Sequence, residues 1–322
     1  MIRDDLVHID YSTLAISDYS RNYILRLLPN IDYYLEIYDR CIERMLRLLR
    51  QPPEKLTVVD YGGGHGFLSC LMKERGFGKV IYIDYNPQAA ATVKAVSEQL
   101  GYGPDVVLQG SAATLGQWCQ QTGVRPDGLL GMDVIEHIYR LEDFFADLFA
   151  IAPMPMIFTT GSTPFNPYVV RRLHRVMLTD EHGDGTQPGF CQLRRQYLSK
   201  HLPQLSAQEL DYWAQHTRGL RYDDLLEAVA TNTPYANSDP YNTCDPSTGS
   251  WTERILPIET YRHLLAPYGA QLSVASGFYN THRSTAKALP SRLLNLLLRM
   301  GGRPCRFLAP FIILQIDNPS VP

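Results

Sequence analysis

The chain has no C-x-x-C pair. Its six cysteines, Cys41, Cys70, Cys119, Cys191, Cys244 and Cys305, are scattered along its length. That spacing excludes a zinc ribbon and a disulfide framework and fits reduced thiols. No uncharged apolar run approaches the roughly 20 residues that cross a bilayer. The opening Met1-Ile-Arg-Asp-Asp carries no apolar signal core, so the expected location is the cytoplasm. Positive charge is not in excess either. The net charge of -3 supplies no global field toward nucleic acid, and no such partner is expected. There is no internal repeat and no signal for an oligomeric state. What is present is a 322-residue chain, 45% hydrophobic and 20% charged, able to bury a large core and carry an insertion.

Residues 18–50 carry Ile24, Leu27, Leu28, Ile31, Tyr34, Leu35, Tyr38, Cys41, Ile42, Met45 and Leu48 at near-helical spacing, with a break expected at Pro29. Pro52-Pro53 ends this stretch. Strands and helices then alternate. Strands are expected at 56–60, 79–84, 105–109, 128–133 and 154–160, and helices at 67–75, 87–100 and 141–150. Such alternation implies a parallel sheet covered on both faces. The rhythm breaks at Thr163. The stretch to Pro257 is polar, aromatic and rich in turn signals such as Asp184-Gly185 and Asp245-Pro246. It is too long for a connection and reads as an inserted lid, with helices near 168–177, 207–215 and 222–229. A helix at 259–266, a strand at 271–278, a helix at 289–300 and a strand at 311–316 complete the pattern.

Asp60-Tyr-Gly-Gly-Gly-His-Gly66 lies between the first strand and the first helix. There, helix N-terminal N–H groups are free and glycines let a ligand approach the main chain. Asp60 can brace the loop or meet a cationic amine through water. Asp84 ends the second strand, where a carboxylate can accept both ribose hydroxyls. Turn formation at the glycines and helix capping at Asp84 are the plain alternatives. The dinucleotide fingerprint G-x-G-x-x-G is not met, because counting from Gly62 its third glycine would fall at Phe67.

The G-x-G-x-G spacing after an acidic residue resembles motif I of the class I S-adenosylmethionine-dependent methyltransferases. Asp84-Tyr-Asn-Pro87 resembles the family's ribose-binding strand end. Met132-Asp-Val-Ile-Glu-His137 is similar to its D-V-L-E-H segment, and Thr159-Thr-Gly-Ser-Thr-Pro164 to the end of its fifth strand. The resemblance spans roughly 55–165. It implies S-adenosyl-L-methionine as cofactor, with Gly62, Gly64 and Gly66 along its methionine and ribose part and Asp84 and Tyr85 at the ribose. Gly110, Ser111 and Ala112 would lie beside the adenine, where many members have an acidic residue, and Asp133 would face the methionine end.

Methyl transfer is an in-line displacement that needs a positioned acceptor and exclusion of water. His137 is the candidate base and Asp133 its neighbour; packing of the following helix is the alternative for His137. Asp133, Glu136 and His137 also resemble a cluster in the ubiquinone-pathway O-methyltransferases, the branch nearest in motif style, where such residues can hold a divalent ion; no metal is the favoured expectation. In the lid, Arg218, Trp251 and Arg254 are candidate acceptor contacts, with surface ion pairs and loop anchoring as the competing explanation. The stretch 289–300, with Arg292, Arg299, Arg303 and Arg306 in and after it, invites a membrane-surface reading. The favoured competitor comes from the resemblance, which implies an antiparallel last strand beside the fifth; 311–316 fits that strand and the leucine helix would be its packed connection.

The expected architecture is a doubly wound, mostly parallel α/β Rossmann-like sheet of about seven strands, with N-terminal helices and an inserted lid. Its parts are 1–52 (helical cover), 53–162 (cofactor core), 163–257 (lid) and 258–322 (completion of the sheet). The expected function is methylation of a small molecule or a glycan- or lipid-linked intermediate, with oxygen favoured by family analogy. The alternatives are an NAD-dependent oxidoreductase and a noncatalytic nucleoside-binding module.

Overall fold

The computed structural model describes residues 2–317. Helices α1 (Ile2–His8), α2 (Asp18–Leu27) and α3 (Ile31–Leu49) precede the sheet. Ser17 caps α2, its hydroxyl accepting from the Ser20 N–H. The expected break falls at a 3-10 turn, Leu28–Asn30, because Pro29 has no N–H to continue the α ladder.

The alternating region is β1 (Thr57–Tyr61), α4 (Phe67–Glu74), β2 (Lys79–Asp84), α5 (Pro87–Leu100), β3 (Val106–Gln109), α6 (Ala112–Thr122), β4 (Gly128–Met132), α7 (Leu141–Ile151) and β5 (Met156–Thr160). Helix α6 is additional to the elements expected from sequence. Its buried side is only Ala112, Leu115 and Cys119, too narrow and small a stripe to stand out. The insertion supplies α8 (Pro167–His182), α9 (Phe190–His201), α10 (Ala207–His216) and α11 (Tyr222–Ala230), and the chain finishes with α12 (Ile258–Leu265), β6 (Gln271–Ser276), α13 (Thr285–Gly301) and β7 (Ile312–Asp317).

The sheet has seven strands in the order β3-β2-β1-β4-β5-β7-β6. Strands β1 to β5 are parallel, and β7 runs antiparallel between β5 and β6. Parallel strands need cover on both faces. One face packs on α1, α3 and α4 through Leu6, Met45 and Phe67; the other packs on α6, α7 and α12 through Leu115, Phe145 and Leu265. Part of the insertion has its own small core around Leu198, Trp213 and Leu225.

Two features position the site. Each parallel strand ends at one edge of the sheet, and the loops after β1, β2, β3, β4 and β5 meet there. Strand β6 also ends at that edge and β7 starts there, since Thr160 and Ser276 both pair with Ile312. The segment 277–311 is therefore a protrusion on the same side of the molecule. Its helix α13 is a packed connection along one face only, with Ala288 and Leu298 buried and Leu289, Leu293, Leu296, Leu297 and Met300 exposed.

Candidate cofactor cleft and acceptor face

The loop after β1 is held by its own main chain and by β2. The Gly62 N–H donates to the Ile83 carbonyl at 2.8 Å, and the Tyr82 hydroxyl donates to the Gly64 carbonyl at 2.6 Å. Gly62, Gly64 and Gly66 have φ of +67°, +54° and +82°, which favour glycine. They differ in what surrounds them. A Cβ on Gly62 would meet Val134 Cγ2 at 2.3 Å, and one on Gly66 would meet Val93 Cγ2 at 2.1 Å. A Cβ on Gly64 would meet nothing within 4 Å. The outer two glycines answer to packing, whereas the middle one faces the cleft.

Asp84 joins the loop to β2. Its Oδ2 accepts from the Gly64 N–H at 2.9 Å and its Oδ1 from the Asn86 N–H at 2.8 Å. Each oxygen keeps a further lone pair for a ligand hydroxyl. Partial burial pushes this carboxyl upward, and the two N–H donors oppose the shift. Tyr85, next to it, is exposed. Ser111 is the N-cap of α6 at the end of β3, and Ala112 is buried beneath it. A cavity of about 560 Å³ between α6 and α7, lined by Gly116, Asp147 and Ile151, lies on the flank of the sheet and not at this edge.

Asp60 is buried and accepts from the Ser69 hydroxyl at 2.6 Å, so it braces the loop against α4. Burial raises its carboxyl to about 7, with Ser69 working against the shift. The His65 ring lies 4.0 Å from that of Phe67 and 5.7 Å from that of Tyr23, and burial lowers its imidazole to about 4.

The ends of β4 and β5 form the other half of the edge. Asp133 has φ of +48°, a left-handed conformation that Asp tolerates better than most residues. Its N–H donates to the Thr159 carbonyl at 3.1 Å. Solvent reaches Asp133, yet protein packs closely around it. Its carboxyl is raised first by that packing and then by Glu253, with His137 opposing. Since water enters the cleft, the displacement is smaller than a closed site would give. Glu136 is buried. Its Oε1 accepts from the Gly161 N–H at 3.2 Å, Oε2 has no partner among the described residues, and burial followed by the charges of Asp133 and Glu253 raises it well above the carboxylate range.

Tyrosines from α2 and α3 close this half. Tyr23 is 48% exposed, yet protein packs around its hydroxyl and raises it, followed by Asp133, Tyr34, Tyr19 and Glu253, which gather around it. The Tyr33 hydroxyl donates to the Phe278 carbonyl at 2.6 Å. Tyr23 and Tyr34 have no hydrogen-bond partner among the described residues. Sequence reasoning took Tyr34 as part of a core stripe and passed over Tyr23. Only the break at Pro29, which bends the two helices, signals their placement.

The candidate acceptor contacts from residues 163–257 fall differently. Trp251 is buried, with Nε1 donating to the Tyr139 carbonyl at 3.0 Å, and its own carbonyl meets His137 Nδ1 at 2.7 Å. That carbonyl can only accept, so Nδ1 carries a proton, and in the neutral ring Nε2 carries the lone pair. Arg218 turns inward: its Nη2 donates to the Tyr241 carbonyl at 2.9 Å and its Nε lies 3.8 Å from Glu181, which also holds the buried Arg194. Instead of facing the cleft, Arg218 thus holds the insertion together and Trp251 ties it to the segment after β4. Arg254 stacks its guanidinium over Trp251 at 4.2 Å and its backbone N–H donates to the Glu136 carbonyl, while its buried Nε has no partner among the described residues. Among the described residues no three His, Cys, Asp or Glu side chains converge as a metal site, so Asp133, Glu136 and His137 do not form one.

No family model matches the sequence, and no curated protein matches it. Among solved structures, magnesium protoporphyrin IX methyltransferase from Synechocystis, with bound SAH, aligns at 16% identity over 88% of this chain and 82% of its own, with a TM-score of 0.41. The plantazolicin methyltransferase BamL, also with SAH, aligns at 13% identity over 98% of each chain with a TM-score of 0.40. A mutant of MtNAS aligns at 17% identity over 49% of this chain with a TM-score of 0.33, and this chain spans 52% of its length. With TM-scores below 0.5, these similarities define neither activity nor substrate. From its own strand order, the chain has the Rossmann-like fold, completed by an antiparallel strand beside the fifth, that the class I methyltransferase resemblance implies.

Proposed function

We propose that the chain is an S-adenosyl-L-methionine-dependent methyltransferase acting on a small molecule or a glycan- or lipid-linked intermediate, with oxygen the favoured acceptor atom. The observation that carries this reading is the sign of the charge along the carboxyl edge. Asp84 lies on one half and Asp133 and Glu253 on the other, while burial makes Asp60 and Glu136 hold their protons more readily. The charges that act most on Asp60, Asp133 and Glu136 are those of other carboxylates, with the imidazole of His137 as the opposing group on Asp133. An anionic pyrophosphate is repelled by such an edge, and a cofactor carrying positive charge is attracted. Phe67, buried where the dinucleotide fingerprint needs glycine, argues the same way.

The residues fit the cofactor. Gly64 brings bare main chain to the cleft in a loop whose close packing needs Gly62 and Gly66, Asp84 offers its spare lone pairs to the ribose beside Tyr85, and Ser111 and Ala112 border the adenine. S-Adenosylmethionine supplies a methyl group bound to a positively charged sulfur. Asp133 faces that charge. His137, with Nδ1 fixed on the Trp251 carbonyl, presents Nε2 as the base that takes the acceptor's hydroxyl proton, and Asp133 offsets the charge the imidazole gains. Tyr23 and Tyr34 orient the acceptor through their free hydroxyls, while α2, α3 and the lid exclude water. A second reading, methylation of an amine, draws on the same face: the Tyr19 and Tyr23 rings beside Asp133 and Glu253 suit a cation.

Calorimetric titration with S-adenosylmethionine, S-adenosylhomocysteine and NAD tests the cofactor. Binding of the first two without NAD is expected; binding of NAD alone would establish the oxidoreductase reading. Transfer of an isotopic methyl label to a panel of hydroxyl and amine acceptors then separates the two acceptor readings. No transfer to any panel member, despite binding, would favour the noncatalytic module.

A further inference from the structure

From Thr260 to Ile316 the sequence contains seven Lys and Arg residues and no Asp or Glu, although the chain as a whole is net negative at -3. This acid-free segment contains α13. At about 100° per residue, Leu289, Leu293, Leu296, Leu297 and Met300 fall within an arc of about 100°. Buried Ala288 and Leu298 point to the other side and attach the helix to the protein. The five apolar side chains of the outer arc are 42% to 78% exposed. Helices of globular proteins bury their apolar stripe. Here the helix is apolar on both sides, and one stripe meets solvent.

Two neighbouring segments extend the apolar surface. Phe307, in the 3-10 turn Arg303–Leu308, is exposed. The start of α8, tied to Ala309 by a bond from Asn166 Nδ2 to the Ala309 carbonyl, adds Tyr168 at 74% exposure. Basic side chains border this surface. Arg292 and Arg299 lie along one margin of the outer arc, and Arg303 follows the helix. All three are exposed and have no ion-pair partner among the described residues. Arg306 is further crowded by Arg303 and Arg262. Exposed apolar surface edged by unpaired arginines, in a segment whose own sequence has no acidic residue, complements a surface that is apolar below and anionic above. No helix among the described residues is long and apolar enough to cross a membrane, so the contact is interfacial.

We propose that the outer face of α13, with Phe307 and Tyr168, docks onto an anionic lipid bilayer surface. The protrusion leaves β6 and enters β7 at the carboxyl edge, so docking brings the cofactor cleft to the side of the molecule that meets lipid. If the methyltransferase reading holds, an acceptor with an apolar tail reaches the cleft from the membrane; the docking itself does not depend on that reading.

The test is co-sedimentation of the full chain with phosphatidylcholine vesicles, with and without phosphatidylglycerol. Binding to the anionic vesicles, weakened by salt, is expected. Leu293→Glu with Met300→Glu should lower the bound fraction about tenfold or more, and Arg292→Glu with Arg299→Glu about tenfold, with melting temperature and S-adenosylmethionine affinity unchanged. The second pair keeps the test decisive if the first impairs folding. Absent vesicle binding, equal binding to neutral vesicles, or full binding by both variants would overturn the proposal. A wild-type dimer that the Leu293/Met300 variant splits, without vesicle binding, would make the face a contact between copies of this chain.

Discussion

On the β1–β2 side of the carboxyl edge the surface is main chain. Gly62, Gly64 and Gly66 sit in one loop, and Asp84 fixes that loop through the Gly64 N–H. On the β4–β5 side it is side chains drawn from separate parts of the chain: Tyr23 and Tyr34 from α2 and α3, Asp133 after β4, Glu253 from the insertion. The first arrangement suits a ligand common to many enzymes, because backbone contacts demand only a loop shape. The second can change residue by residue without disturbing the first. Under the proposed function the halves divide the labour: the glycine loop sets the cofactor and the gathered side chains set the acceptor.

The predictions probe this division from the largest effect down. His137→Ala should lower kcat by about 10²–10⁴ while S-adenosylmethionine affinity stays near wild type, measured by steady-state kinetics and calorimetry. A loss below tenfold with a lower melting temperature would assign His137 to holding the Trp251 carbonyl instead. Gly66→Ala should cost about 2–4 kcal/mol of stability in denaturant titration, because the new methyl collides with Val93 in a left-handed backbone. A variant as stable as wild type would show that the loop is free to move there.

Asp84→Ala should weaken S-adenosylmethionine binding at least about tenfold, given about 1.5–3 kcal/mol for a charge-assisted bond. Unchanged affinity in a folded variant would take Asp84 out of the cofactor half. Asp60 bears on stability through pH. Its folded-state value of about 7 exceeds that of an exposed carboxyl, so the folded protein holds the extra proton. The stabilisation is complete below the unfolded value near 4 and is lost as pH rises through about 7. Asp60→Asn should therefore gain stability relative to wild type between pH 5 and pH 8, by about 1–2 kcal/mol in paired thermal melts. A constant difference across that range would mean that Asp60 is ionised throughout.

The same contrast explains what was legible in the sequence. Strands β1 to β5 and the existence of a last strand follow from periodicity and turn residues, which act over a few positions; its antiparallel sense comes only from the family resemblance. The glycine loop and Asp84 are legible because a strand, a loop and a helix are contiguous. The acceptor half is not: Tyr23 reaches Asp133 only once α2 folds over the edge, and Trp251 and Arg218 are pulled inward by Tyr139, Tyr241 and Glu181. An aromatic or a cation in a polar stretch reads alike whether it faces a ligand or anchors a loop. Helix α9 went unread for a related reason, since the residues it buries are Arg194 and Leu198, and a buried arginine breaks the apolar stripe.

Gly64→Ala isolates the central claim, because its added methyl enters the cleft and touches no protein atom within 4 Å. The measurement is calorimetric titration of this variant and wild type with S-adenosylmethionine, alongside thermal melts. The expected result is a drop in affinity of about tenfold or more with a stability change of about 1 kcal/mol from the left-handed alanine. Wild-type affinity in Gly64→Ala would contradict it, placing the cofactor away from the glycine loop.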